Sequence, residues 1–359
     1  LTGFKVDMEI YVYTPDFINV CIIDTYQSFI WTDRLNEPGD FELYTPVTQK
    51  ILDYCVPGNY LTIKESQYTM IVENREIRTD MEDGPIVVVT GRSLESILER
   101  RIIWEVTNLN GNFQNGVKKL INDNVISPSI SERAIPNFVF KDSTDTKITD
   151  LTIDNQYTGD NLLEVIEELC STNHIGFRVW LNDENSFIFE LYAGIDRSYN
   201  QDALPWVTFS PNYGNLLNSS YKETTDESKN VALVAGEGEN KERITRTVGS
   251  GSGLARKELY VDAKDLRSDD LTTTEYEQKL DERGKEKLDE CKEIKKFDSE
   301  CEVTKQFVYG TDFNLGDIVQ VENEFNIGAS ARITEFIISD ENDDLKRYPT
   351  FEIVEDEET

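Results

Sequence analysis

Only one histidine, His174, occurs in 359 residues. Histidine-built metal sites are thereby largely excluded, and one imidazole base is left to any triad chemistry. Its context, "CSTNHIGF", reads as a helix end running into a strand, so a hydrolase built on His174 is the weakest functional reading. The five cysteines (Cys21, Cys55, Cys170, Cys291, Cys301) are odd in number and show no C-x-x-C spacing. They argue against a disulfide framework and a zinc site and read as reduced packing residues. No apolar run reaches 18 residues, so no membrane-spanning segment is expected. Cations are also scarce, with 36 Lys and Arg against 69 Asp and Glu, a formal charge of −33. That excess opposes approach to nucleic acid or to an anionic membrane.

The most glycine-dense stretch, "VAGEGENKERITRTVGSGSG" (234–253), lacks the Lys-Ser/Thr pair of a phosphate-binding loop. Its glutamates would repel a polyphosphate, so Gly236 and Gly238 read as suppliers of positive φ in a connection between strands. With 69 carboxylates, a pair at glycosidase separation arises by chance and identifies nothing. "NDENS" and "SDENDD" depart from the calcium-loop pattern and lie where strands must turn, leaving at most adventitious calcium. No catalytic residue, cofactor or metal is assigned.

What the chain does contain is aromatic residues, 16 Tyr, 17 Phe and four Trp, too many for an acidic disordered chain. "EIYVYT", "FINVCIID", "NYLTIKES", "YTMIVENREI" and "PIVVVTG" are short β-branched and aromatic runs broken by turn residues, as in a small barrel or sandwich. "GRSLESILERRIIW" changes period, with Leu94, Ile97, Leu98 and Arg101 on one helical face. Phe113, Val117, Leu120 and Ile121 predict one amphipathic helix, and Leu162, Leu163, Ile166, Leu169 and Cys170 another. Ile175 to Leu181 and Phe187 to Leu191 alternate around "NDEN" as a hairpin. A long helix follows, opened by a capping box at Thr272 or Thr274, with Tyr276, Leu280, Gly284, Leu288, Cys291 and Ile294 along one side. Strands then resume to the end. "WTDRLNEPGDFEL" (31–43) reads as a wide turn pinned by an aromatic and an ion pair, or alternatively as a ligand-binding loop.

Four stretches in this order, "WTDRLNEPGDFEL", "GRSLESILERRII", "NVALVAGEGENKER" and "YGTDFNLGDIVQV", resemble the signature blocks of siphophage tail-tip hub proteins. These are the baseplate-hub or tail-associated proteins of phages infecting Gram-positive bacteria, related to trimeric hubs of contractile phage baseplates. The resemblance implies an α+β, mainly β fold of two barrel-like tube domains, 1–103 and 205–240 with 297–359. It makes 104–204 a mixed α/β peripheral domain and 241–296 a helical insertion. Trp31, Arg34, Gly39 and Phe41 would shape the first tube-domain turn, and Gly310, Asp312, Leu315, Gly316 and Asp317 the second. Gly236 and Gly238 would hold the connection between strands. A positive φ at Gly316 would make valine there obstruct folding or trimer formation.

The same resemblance implies a structural, non-enzymatic homotrimer in the virion tail tip, assembled in the bacterial host cytoplasm. It would contact the distal tail protein, the tape measure protein and host-recognition tail proteins, and bound a channel that DNA crosses without specific binding. Relatives often continue into a peptidase, a lysozyme-like domain or fibre-like extensions, so the chain would rely on other tail proteins or be part of something longer. The alternative is a carbohydrate-binding tail adhesin with Trp180 or Trp206 as its sugar platform.

Overall fold

The computed structural model describes residues 8–80, 84–238, 243–269, 271–301, 306–325, 328–341 and 344–354. Strand outweighs helix, 41% to 22%, which makes the fold α+β and mainly β, as expected. The first stretch alternates buried and exposed residues through β1 (Ile10–Tyr13), β2 (Asn19–Ile23), β3 (Ser28–Arg34), β4 (Asp40–Pro46), β5 (Tyr60–Ile63), β6 (Met70–Asp80) and β7 (Gly84–Ser93), with a short α1 (Gln49–Tyr54) between β4 and β5. Leu94–Arg100 is a 3-10 helix in which Leu94, Glu95, Ser96, Ile97 and Leu98 are all buried. Arg101 therefore does not continue the apolar face: it lies beyond the helix end, donating to the Arg133 carbonyl.

The mixed segment carries β8 (Thr107–Asn112), α2 (Phe113–Ile121), β9 (Phe138–Lys141), α3 (Thr146–Thr149), β10 (Thr152–Tyr157), α4 (Leu162–Thr172), β11 (Gly176–Leu181) and β12 (Phe187–Tyr192). Asn112 and Asn161 cap α2 and α4 by accepting from backbone amides in their first turns. The predicted stripes of both helices are buried in one core with Phe177, Val179 and Phe189 of the hairpin. Asn182 closes that hairpin, its Oδ1 accepting from Glu184 N at 3.0 Å and Ser186 N at 2.8 Å.

After β13 (Thr208–Phe209) and β14 (Leu216–Thr224) comes a separate small unit. In it β15 (Val231–Ala235) pairs antiparallel with β16 (Thr245–Gly249) and parallel with β17 (Glu258–Asp262), and α5 (Thr273–Asp289) covers one face. Thr272 and Glu275 form the capping box. Tyr276, Leu280 and Gly284 face the sheet, but α5 ends at Asp289, so Cys291 and Ile294 leave the stripe and Ile294 opens β18 (Ile294–Cys301). Thus β15 belongs with α5, whereas β14 pairs with β18. α5 meets β10 and α4 largely through polar groups, Lys279 to Asp154 at 2.8 Å and Lys287 to Glu168 at 2.9 Å.

The chain closes with β19 (Ile318–Glu322), β20 (Gly328–Glu341) and β21 (Asp344–Ile353). The main sheet runs β14-β18-β21-β20-β3-β4-β7-β6-β5-β1-β2, with β19 also on β20 and β13 on β19. β20 makes this continuity. Its first residues pair with β19, Glu335–Glu341 pair with β3, and β21 lies along its other edge. Side chains on the inner face of this splice, Phe29, Trp31 and Asp33 of β3 and Phe336, Ile338 and Asp340 of β20, are buried. The alternation expected of a half-buried strand explains it. One hydrophobic core unites both strand-rich ends of the chain. Among the described residues no helix is long and apolar enough to cross a membrane.

Candidate functional site

Arg34, the last residue of β3, points to the opposite face from Asp33. Its Nε donates to Glu335 Oε1 at 2.8 Å, Nη1 to the Pro38 carbonyl at 3.0 Å and Nη2 to Asp40 Oδ2 at 3.3 Å. Glu335 sits directly opposite on β20, so one guanidinium closes the β3–β4 turn and links the two strand-rich ends. Gly39 permits the closure: its amide donates to Ser93 Oγ at 2.8 Å, and a Cβ there would run into the Thr32 carbonyl oxygen. Phe41 packs against buried Trp31 with ring centroids 6.3 Å apart. The groove on this face, lined by Arg34, Asp40, Glu42, Glu73 and Arg92, has its cations engaged, Arg92 bonding Glu73 at 2.9 Å. The contacts of Arg34 with Pro38 and Asp40 and of Phe41 with Trp31 are those of a pinned turn.

On the inner face, fully buried Asp33 gathers a knot of hydrogen bonds. Oδ1 accepts from Trp31 Nε1 and Ser66 Oγ, both at 2.8 Å, and Oδ2 accepts from Tyr309 OH at 3.2 Å. Nearby, Tyr192 OH donates to the Leu35 carbonyl at 3.2 Å and lies 3.3 Å from Tyr68 OH. Glu95, also buried, accepts from Val179 N at 2.6 Å, but its Oε2 has no partner among the described residues. Burial pushes both carboxyls up to about 7, against the hydrogen bonds that favour their charged forms. These groups come from β3, the β5–β6 connection, the 3-10 helix, β11, β12 and the segment before β19. The knot therefore ties three parts of the chain together.

The second block lies against the first. Gly310, at φ +80, donates to the Phe313 carbonyl at 2.9 Å, and Asp312 Oδ2 accepts from Val308 N at 2.8 Å. Leu315 is buried in the common core. Gly316, at φ +85, donates to the Ile333 carbonyl at 2.8 Å, and a Cβ on it would lie 3.0 Å from Leu35 Cδ1. Asp317 accepts from Ile195 N at 2.7 Å, Asn314 N at 3.0 Å and Arg197 Nε at 3.2 Å. Its pKa is raised, with burial outweighing those bonds.

Gly236 and Gly238 lie in the α5 unit, and they differ in kind. Gly238 has φ +106, but Gly236 has no positive φ, contrary to expectation. What Gly236 supplies is space, because a Cβ there would strike Tyr276 Oη. That hydroxyl accepts from Glu237 N at 2.7 Å and donates to the Leu266 carbonyl at 3.3 Å. Gly236→Ala is accordingly expected to push Tyr276 out and to destabilise the unit by about 1–3 kcal/mol. Hydrogen exchange would show this as faster amide exchange in α5 with β3 and β4 unchanged.

Sequence reasoning missed Asp33, Ser66, Tyr68, Glu95, Tyr192 and Tyr309, and it also missed Gly91 and Gly194. A Cβ on Gly91 would overlap the Ile71 carbonyl oxygen, and one on Gly194 the Gly316 carbonyl oxygen. Asp33 was legible, since it shares the period-two face of Phe29 and Trp31. His174 lies just beyond the C-cap of α4 at φ +53, with its pKa lowered by burial and by nearby Arg332. Among the described residues no group of His, Cys, Asp and Glu is arranged to hold a metal. Residues 342–343 of "SDENDD" fall outside the described residues. Trp180 is only partly exposed, its indole nitrogen is buried and Lys141 lies over its ring. Trp206 is exposed and stacks edge-on against Tyr199.

The family model described as Siphovirus ReqiPepy6 Gp37-like protein matches residues 9–351. No curated protein matches the chain. Among solved structures, the tail protein from Neisseria meningitidis MC58 superposes with TM-score 0.58 at 12% identity, covering 97% of both chains. The prophage MuSo2 tail protein from Shewanella oneidensis gives 0.58 at 13%, covering 96% of this chain and 98% of its own. A prophage tail protein from Listeria monocytogenes EGD-e gives 0.53 at 11%, covering 96% and 94%. At such identities the likeness establishes a shared fold, and that fold is one found in phage tail proteins.

Proposed function

The chain belongs to the siphovirus ReqiPepy6 Gp37-like family, and from that membership we propose that it is the hub of a phage tail tip. Three copies around the tail axis, each offering two strand-rich modules, would present six similar surfaces to a sixfold tube and a threefold end to the tip. The modules would be 1–103 and 205–240 with 297–359, less β15, which packs with α5, and 104–204 and 241–296 would be peripheral. The observation that carries the reading is the family match over nearly the whole chain. The continuous main sheet supports it, because both strand-rich ends share one core.

In this reading the hub sits in the virion tail tip after assembly in the host cytoplasm. It meets the distal tail protein, the tape measure protein and host-recognition tail proteins. Its work is positional and needs no cofactor. Carboxylates facing an axial channel would repel passing DNA and keep it from adhering, which the charge of −33 supports. Sedimentation of the purified chain is expected to give three times the chain mass, and electron micrographs a ring with a central pore. If the chain alone is monomeric, mixing it with the distal tail protein should produce that ring. Compact single particles under both conditions would refute the hub.

A further inference from the structure

Asn122–Ile126 continues α2 as a π-helical turn. Such turns are rare, weaken the local hydrogen bonding and occur frequently at functional sites. Here Asp123 and Asn124 of the turn line a concavity of about 290 Å³ together with Trp104, Glu105, Lys119 and Arg133. Asn124 is 2% exposed and works as a bracket. Its Oδ1 accepts from Trp104 N at 3.3 Å and from Arg133 Nη2 at 3.1 Å, and its Nδ2 donates to the Leu120 carbonyl at 3.0 Å. The Arg133 guanidinium lies 5.1 Å from the centre of the Trp104 ring. Trp104, 54% exposed, is thus held in place at the edge of a hollow.

The charges around it narrow the ligand class. Lys119 pairs with Asp123 at 3.1 Å, and Glu105 accepts from Ser129 Oγ at 2.9 Å. Two cations and two carboxylates balance locally in a chain of net charge −33. A phosphate would face both carboxylates, a cation would face Lys119 and Arg133, and an apolar ligand would strip water from all four. A neutral polyhydroxylated ligand meets none of these objections. Each hydroxyl can donate to a carboxylate and accept from an ammonium or guanidinium, and the C–H face of a pyranose ring can lie on the indole. We propose that this concavity is a saccharide-binding site one or two rings wide, centred on Trp104 and independent of the quaternary reading above.

The test is titration of the full chain with glucose, galactose, rhamnose, N-acetylglucosamine and its disaccharide, followed by saturation-transfer NMR and calorimetry. At least one sugar is expected to saturate with a Kd on the order of 1 mM. Trp104→Ala should weaken that sugar about tenfold or more, and Asp123→Asn should weaken it less. Both side chains are exposed, so unchanged thermal unfolding will show that the fold is retained. Trp206→Ala is the control and should bind as the natural chain does. The proposal is overturned if no sugar in the panel saturates, if Trp104→Ala binds undiminished, or if Trp206→Ala alone removes binding.

Discussion

Gly194→Val is expected to destabilise the protein by about 3 kcal/mol or more, with a correspondingly large fall in the unfolding temperature. Gly194 has no positive φ, so backbone conformation is not the cause. The cause is contact, because a Cβ would occupy the position of the Gly316 carbonyl group, which is backbone and cannot swing aside. The displaced segment carries Asp317, whose carboxylate holds Ile195 N, and Gly316 N, which reaches the Ile333 carbonyl. Relief of the clash therefore breaks bonds on both sides. Gly58→Ala separates this cause from simple strain. Gly58 has φ +97 with open space around its α-carbon, and alanine there should destabilise by only about 1 kcal/mol. Equal effects at the two positions would show that steric exclusion at Gly194 is not the controlling term.

Glu95→Gln is expected to stabilise the protein at pH 8 and to leave it unchanged near pH 4. The carboxyl has an ordinary value of 4.5 and is pushed up to about 7 in the fold, chiefly by burial. The folded state thus retains the proton longer than the unfolded chain does. Glu95's contribution is fully present below the unfolded value and is lost as pH rises to about 7. Glutamine cannot ionise, so the variant should gain on the natural chain progressively across that window. The gain above pH 7 is at most about 3–4 kcal/mol, taking about 1.4 kcal/mol per pKa unit. Val179 N keeps its acceptor in the variant, and the amide nitrogen takes the place of the unpartnered Oε2. Denaturant unfolding of both proteins between pH 4 and pH 8 measures the difference directly, and parallel curves would contradict it.

Much of the fold was legible because periodicity reports burial. The stripes at Phe113 to Ile121 and Leu162 to Cys170 turned into buried helix faces, and the hairpin around "NDEN" formed as its alternation implied. The segment after Ser93 formed the short helix that its spacing implied, as a 3-10 helix. With Glu95 and Ser96 buried alongside Leu94 and only Glu99 and Arg100 exposed, the spacing of its leucines could not tell a 3-10 helix from an α-helix. The end of α5 was missed because Cys291 and Ile294 happen to keep the stripe's spacing after the helix has stopped.

The site was less legible than the fold. Arg34, Gly39 and Phe41 lie in one turn, and their roles follow from turn chemistry. Arg34's partner Glu335, however, is 301 residues away and is supplied by a strand pairing that no local pattern announces. The approach of Gly194 to Gly316 is likewise non-local, since an ordinary φ gives no compositional sign. Gly236 shows the converse error: a glycine beside a turn suggested backbone freedom, and the structure uses it as clearance for a tyrosine.

The path of β20 has a mechanical corollary. One strand of 14 residues is bonded to β21 along one edge and to β19 and then β3 along the other. Rotating the early part of the chain against the late part would mean tearing a ladder of backbone bonds and the aromatic layer beneath it. A pull or twist delivered at one end should consequently travel through the body as a rigid tilt. The α5 unit, by contrast, meets β10 and α4 through side-chain polar contacts such as Lys279 to Asp154 and not through a shared strand ladder, so a tilt of the body reaches it across a side-chain seam.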